Sequence, residues 1–420
     1  MQTEQRTYGE THPWITFRCD TDRFPTNLWM NLGEARSECE SIARTPLLPE
    51  VAKELHTLYV AKGVLATAAI EGNTLTEEQV RDHLEGKLEL PPSREYLRKE
   101  VQNIVDAINS MAGDTLKSSS VAISVEEIKD YNLRVLDGLE LDEDVVPGEF
   151  RTGSFGVGRY RGAPAEDLDY LMQQMCDWLN HGSFCMPEEQ QNRVVFGLLR
   201  AILAHLYIAW IHPFGDGNGR TARLVEFKVL IAAGVPSPAC QLLSNHYNLT
   251  RNDYYRQLDR ASRSGGDIVP FIVYAMQGFV DGLHEQMNRI WDEQMEVVWR
   301  NFVHDAFSDK GTDKESTTAK RRRHLLLDLS EVSAELLVDE EWVDIRRLDE
   351  VSVRVAKEYA SLTHKTLRRD LTALQKMELV EVKGGSVRAR RERITAFLPL
   401  RRDPNVLPEP ALDGLAQVDL

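Results

Sequence analysis

The run VVFGLLRAILAHLYIAWI, residues 194–211, constrains the fold more than any other stretch. An apolar segment this long must be hidden from water, in a bilayer or at the centre of a helical body. A membrane span wants roughly 20 predominantly apolar residues with charges rare inside them. This run carries Arg200 and His205. A central helix covered on all sides by other helices explains it better, and no membrane partner is expected. Helical apolar spacing recurs over 55–70, 96–111, 165–180, 188–210, 220–233 and 270–307, which predicts a mainly α fold. Residues 147–164, PGEFRTGSFGVGRYRGAP, break that pattern. Their glycines alternate with aromatic and β-branched residues, as in a short hairpin or extended flap.

Directly after the apolar run comes IHPFGDGNGRTAR, residues 211–223. Gly215, Gly217 and Gly219 permit backbone shapes and close approaches that side chains forbid. A helix is expected to start at about Gly219 or Arg220, so its free N–H groups and positive dipole end face the loop. That makes an anion site, most naturally for phosphate. No G-K-[ST] follows, so it is not a Walker A loop. A helix rather than a strand precedes it, so it is not a dinucleotide fingerprint either. Arg220 and Arg223 lie three apart on one helix face and can clamp further phosphate oxygens. Asp216 is a hard oxygen ligand suited to Mg²⁺ (or Mn²⁺) bridging to a nucleotide. Asn218 can donate to a phosphate oxygen. His212 is placed as general base, a role worth roughly 10²–10⁴ in rate, and Phe214 pins the loop to the core. A plain helix–loop–helix connection explains any one of these residues alone. Together in one turn they point to phosphate chemistry.

At 420 residues and a formal net charge of −16, the chain has room for two or three domains. The acidity argues against sequence-blind nucleic-acid binding by the whole molecule, while leaving a locally basic domain open. Five scattered cysteines without a C-x-x-C suit reduced thiols in the cytoplasm and give no zinc signal. The opening residues MQTEQRTYGETHPW carry no secretion signal. The domains expected are an N-terminal helical region over 1–110, a core over 111–307, a polar linker over 308–320, a further domain over 321–402 and a flexible tail over 403–420.

The whole of HPFGDGNGRTAR matches HxFx[D/E]GNGRxxR, the long and specific motif of the Fic (filamentation induced by cAMP) family, at every fixed position. The resemblance extends over about residues 15–300. It implies a Fic-type helical core with a β-hairpin flap, and an enzyme that transfers AMP from ATP to a hydroxyl of a target protein. On that resemblance His212 is the base and Asp216 the metal ligand. Gly215, Gly217, Asn218 and Gly219 form the anion hole, and Arg220 and Arg223 contact the β- and γ-phosphates. GEFRTGSFGVGRYRG is similar to the family's flap, in which Ser154, Phe155, Gly156, Val157 and Gly158 would dock the target strand. YYRQLDRASRSGGD resembles the adenine side of the pocket, with Tyr255 a base contact; Ser262 stands where several relatives have Asn. His205 matches a common family histidine, for which a buried structural role is favoured. TAAIEGN, residues 67–73, resembles the inhibitory [S/T]xxxE[G/N] helix, with Thr67 and Glu71 four apart and Glu71 expected to pair with Arg223. In some relatives that glutamate also serves AMP removal. Homodimers are common in such families.

Beyond residue 320, VSVRVAKEYASLTHKTLRRDLTALQKMELVEV reads as helix, turn, second helix and strand. Leu367, Leu371 and Leu374 face inward, and Thr363, His364, Lys365, Arg368 and Arg369 outward. Gly384-Gly385 makes a turn, and a strand near 394–398 is expected to complete a winged helix-turn-helix, with RARRER in the wing. The unit resembles those often appended to Fic cores. Its partner is either DNA or a protein. Two further readings stay open: a transcription regulator whose core only senses nucleotide, and an enzyme transferring UMP or phosphocholine.

Overall fold

The computed structural model describes residues 6–117, 122–153, 156–157, 160–181, 190–308, 316–339 and 341–395. The chain is mainly α-helical and divides into two compact units, Met1–Ile290 and Trp291–Leu420. The division falls inside a long helix, ahead of the polar stretch 308–320. Trp299 and Val303 on that helix belong to the apolar core of the second unit, and residues 317–320 are already helical.

The first unit contains α1 (Thr7–Thr11), α2 (Thr26–Arg44), α3 (Pro49–Ala69), α4 (Glu77–Leu84), α5 (Glu95–Lys117) and α6 (Val125–Leu136). After these come α7 (Leu168–Asn180), α8 (Gln190–Ile211), α9 (Asn218–Ala232), α10 (Leu242–Leu249), α11 (Arg251–Arg263) and the start of α12 (Val269–Phe307). Local chemistry sets several boundaries. Pro49 opens α3, where its missing N–H costs nothing. Reciprocal capping boxes, Thr76 with Gln79 and Ser124 with Glu127, start α4 and α6. Gly72, with φ +104°, lets Asn73 N–H turn back to Ala68 O and ends α3.

The helix predicted from the apolar run is α8, the centre of the unit. Its residues from Leu198 to Tyr207 are buried, Arg200 and His205 included. By length and apolarity alone, residues Asn192–Ile211 could cross a membrane, yet 83% of that stretch is buried inside the protein. It packs most extensively on α9, to which the glycine-rich turn joins it, while α3 lies against α5, α9 and α10. Of the flap, β1 (Gly156–Val157) and β2 (Tyr160–Arg161) pair antiparallel, Gly156 opposite Arg161. The docking residues Ser154, Phe155 and Gly158 lie outside the described residues.

The second unit runs α13 (Thr317–Ser330), β3 (Leu337–Asp339), β4 (Trp342–Asp344), α14 (Val353–Tyr359), α15 (His364–Lys376), β5 (Val380–Lys383) and β6 (Ser386–Ala389). Its four strands form one antiparallel sheet in the order β3-β4-β6-β5. Leu367, Leu371 and Leu374 do face the core, beside Leu325, Leu326 and Val387. Among the described residues the last strand is β6; of the strand expected near 394–398, residues 396–398 lie outside the described residues. Gly384 and Gly385 both take positive φ in a two-residue turn that pairs Lys383 with Ser386, so β6 follows β5 at once. Arg391–Ile394 forms a 3₁₀ turn.

Candidate active site

The turn between α8 and α9 is built by side chains that fasten its backbone. His212 takes a left-handed φ of 51°, and Gly217, at φ 75°, is the residue before α9. Asn218 folds its amide back onto Phe214, accepting from the Phe214 N–H at 2.9 Å and donating to its carbonyl at 2.8 Å. The side chain expected to serve phosphate is thus engaged in shaping the loop, and what it offers an anion is its backbone N–H. Phe214 is buried and sits 5.4 Å from the Phe150 ring, pinning the loop as expected. The fully buried Asn132 on α6 donates to Asp216 O at 2.9 Å and to Thr221 Oγ1 at 3.2 Å, and accepts from Gly148 N–H at 3.0 Å. A side chain at Gly217 would press tightly on Asn132 and Leu136 at a positive φ that side chains disfavour, and one at Gly215 would push Val145 aside. The first N–H groups of α9 have no intrahelical partners and carry the positive end of its dipole.

These groups border a cavity of about 510 Å³ whose wall includes His212, Gly215 to Gly219, Tyr254, Tyr255 and Glu71. Burial lowers the His212 pKa to about 4, and the nearby Arg151 guanidinium pushes the same way. The ring is therefore neutral at pH 7, the form a general base needs. Tyr255 stays 45% exposed at the cavity edge, with the Arg251 guanidinium 5.9 Å from its ring centre. Ser262 is buried, its hydroxyl donating to Asp259 O. His205 is fully buried, with Nε2 2.7 Å from Tyr254 Oη and Nδ1 3.1 Å from the Glu226 carboxylate.

Both motif arginines face carboxylates. Arg223 is buried, and its Nη2 lies 2.6 Å from Glu71 Oε1 and 2.9 Å from the carbonyl of Thr67. Contact with the acid is through one nitrogen only; Nε and Nη1 of Arg223 are buried without a partner. Glu71 projects from the turn that ends α3, where Arg251 on α11 donates to Ile70 O at 2.5 Å. Burial alone would raise the Glu71 carboxyl, but Arg223, with help from Arg220 and Arg251, holds it below the usual carboxylate range. A Cβ at Gly219 would displace the Glu71 carboxylate from its place on Arg223. Arg220 bridges Asp216, at 3.2 and 3.3 Å, and Glu100 Oε1 on α5, at 3.3 Å. Glu100 also accepts from Asn73 Nδ2 at 2.8 Å. Asp216 keeps 48% of its side chain exposed beside the cavity, so its carboxylate can reach a cation there.

Three residues that matter to this geometry went unmarked in the sequence. Asn132, Arg151 and Glu100 lie outside the motif, at separations that no local spacing rule connects. Arg151 is visible only as one basic residue in the flap.

A helical core that presents a glycine turn, a neutral histidine and the opening of α9 to one cavity has the features of an anion site. Residues 122–230 match the model of the Fic/DOC family. Protein adenylyltransferase fic-1 of Caenorhabditis elegans is 30% identical over 244 residues, 58% of this chain and 44% of the relative. Protein adenylyltransferase Fic of Nematostella vectensis is 33% identical over 204 residues, 49% and 43% of the two chains. A solved structure of Fic-1 (aa134–508) from C. elegans superposes with a TM-score of 0.50 at 26% identity, covering 63% of this chain and 73% of that one. The chain spans less than half the length of these curated relatives.

Proposed function

We propose that this protein is an adenylyltransferase that moves AMP from ATP onto a hydroxyl side chain of a target protein, and that Glu71 restrains it. The observation that carries the reading is the convergence on one cavity of His212, the opening turn of α9 and Glu71, which is ion-paired to Arg223 behind it. The target hydroxyl gives its proton to the neutral His212 ring as its oxygen attacks the α-phosphorus. The bond from that phosphorus to the bridging oxygen breaks, and pyrophosphate leaves. The N–H groups of α9 stabilise charge on the phosphates, and catalysis is mostly positioning and electrostatics. Asp216 would hold Mg²⁺ or Mn²⁺, an ion that neutralises phosphate charge when bound. With Glu71 on Arg223, one phosphate clamp is occupied by an internal acid. The scattered thiols fit a cytoplasmic enzyme.

The test is incubation of Glu71→Gly, with and without His212→Ala, with labelled ATP, Mg²⁺ and a cell lysate. Mass spectrometry of labelled bands then identifies the target and the transferred group. Phosphocholine or UMP on the target, or no label at all, would overturn the adenylyl reading.

A second reading concerns the C-terminal unit, for which we infer a winged-helix type of DNA contact through α15. Lys365, Arg368, Arg369 and Lys376 are exposed on that helix and have no ion-pair partner among the described residues. Their stripe is about 16 Å long, the reach of a helix lying in a major groove. The arginines of RARRER are mostly neutralised: Arg388 by Glu341, Glu381 and Glu392, Arg390 by Glu392, and Arg393 by Glu378. A duplex gel shift that weakens steeply with salt supports this reading; capture of protein alone would replace DNA with a protein partner.

A further inference from the structure

Arg151 is a buried cation with no acidic partner among the described residues. A buried guanidinium is costly unless every donor is satisfied, and proteins usually meet that cost with a carboxylate. Here backbone carbonyls do it. Nε donates to His212 O at 2.8 Å, Nη1 to Gly153 O at 2.6 Å, and Nη2 to Ala163 O at 2.5 Å and Ile211 O at 3.4 Å. The Arg151 N–H adds a bond to Pro213 O at 3.0 Å. One side chain thus ties residues on both sides of the flap strands, Gly153 before β1 and Ala163 after β2, to the residues around the base. Two more bonds run beside it, Ala163 N–H to Ile211 O at 3.1 Å and Tyr160 Oη to Trp210 O at 2.6 Å. A side chain at Gly162 would strike the Arg151 guanidinium and His212 Cβ, so the packing leaves no slack.

We propose that Arg151 is a positioning residue that ties the two ends of the target-docking flap, at Gly153 and Ala163, to the backbone of the catalytic base. This rests on the reading of His212 as base. The clamp on the His212 carbonyl helps hold that residue in its left-handed backbone conformation, which is uncommon for residues other than glycine. Nucleophile and base must meet within hydrogen-bond reach, and the flap sets where the target backbone lies. An error of about 1 Å between flap and base costs about 10²-fold in rate. The charges that face the imidazole are Arg151, which favours the neutral ring, and Glu71 and Asp216, which favour the protonated one. Arg151 is therefore the cation that offsets two acids, on top of the larger effect of burial.

The experiment compares Arg151→Gln and Arg151→Lys in the Glu71→Gly protein. Arg151→Gln is expected to lower kcat about 10²-fold with KM for ATP unchanged within about twofold, and to move the His212 titration, followed by NMR of the ring, toward higher pH. Arg151→Lys keeps the charge but cannot reach all the carbonyls at once, so it should leave the His212 titration low and still lose rate. ATP binding by calorimetry separates positioning from general damage. Arg151→Gln with an unshifted His212 titration and unimpaired kcat would overturn the proposal, as would a fall in ATP affinity in step with kcat. Should the Glu71→Gly protein itself transfer nothing, the adenylyltransferase reading fails, while the ring titrations and the hydrogen exchange of the flap and turn still decide the role of Arg151.

Discussion

The glycine turn and α15 both carry pairs of arginines, and they solve the problem of a free guanidinium in opposite ways. Arg223 and Arg220 are buried, 2% and 5% exposed, and each faces internal carboxylates. Arg368 and Arg369 stand in water and face none. Water screens an exposed cation, whereas a buried one must find a counter-charge or a ligand. A deeply buried guanidinium without a ligand therefore tends to close on the protein's own acids, and on the proposed function restraint by Glu71 would follow from burying Arg223. An exposed stripe acquires no such lock, and any polyanion bound there would be held in a salt-dependent way. The same residue type is paired internally in one region and left open to solvent in the other.

The comparison breaks most sharply at the base. In the Glu71→Gly background, His212→Ala should lower AMP transfer by about 10²–10⁴ while ATP still binds; near-normal transfer would take the chemistry away from the turn. Next in size is the restraint itself. A charge-assisted bond is worth about 1.5–3 kcal/mol, and about 1.4 kcal/mol is a factor of ten. Because Glu71 keeps 34% of its side chain exposed, the lower end is appropriate, and Glu71→Gly should raise self-labelling about tenfold. Equal labelling by the two proteins would show that the pair restrains nothing. The depressed Glu71 carboxyl stays ionised below the usual carboxylate range, so the restraint should survive mild acid. His212 has the complementary signature. Its folded pKa lies below the unfolded one, so the stability it allows is complete above about pH 6.5 and is lost as pH falls toward about 4.

Much of the turn was legible in the sequence because its chemistry is local. Glycine spacing, the offset of Arg220 and Arg223, and the apolar run that had to become α8 all lie close together along the chain. Thr67 and Glu71 were readable only through resemblance, since nothing in TAAIEGN announces an arginine 152 residues away. Asn132, Glu100 and Arg151 were unreadable for the same reason: each acts on the turn from another helix or from the flap. In the second unit the leucine stripe of α15 was plain from periodicity, but the pairing of the basic run 388–393 was only partly so. Glu392 lies within the run, whereas Glu341, Glu378 and Glu381 come from neighbouring strands and turns that only the fold brings close.

Smaller effects are expected at α15. Replacing Arg368 and Arg369 by Gln should weaken duplex binding and reduce the dependence of log K on log salt by about one for each phosphate no longer neutralised. The same change at Arg388 and Arg393 should leave that slope alone, because those guanidinium groups are already held by glutamates. A larger effect from the 388/393 pair would return the DNA contact to the wing.

The smallest effect sharpens the buried half of the comparison. Arg220 shares its charge between Asp216 and Glu100, and Glu100 in turn holds Asn73, two residues beyond Glu71. Weakening that link loosens both the second clamp and the end of α3. Glu100 is partly exposed and lies 3.3 Å from Arg220, so the pair is worth no more than about 1 kcal/mol. Glu100→Gln in the otherwise unchanged protein should raise self-labelling about twofold to fivefold. In the Glu71→Gly protein, where the lock on Arg223 is already gone, it should add little. That non-additivity distinguishes one coupled latch from two independent acids. A full, additive increase in both backgrounds would mean that Arg220 is restrained by itself and that the bond from Asn73 to Glu100 transmits nothing.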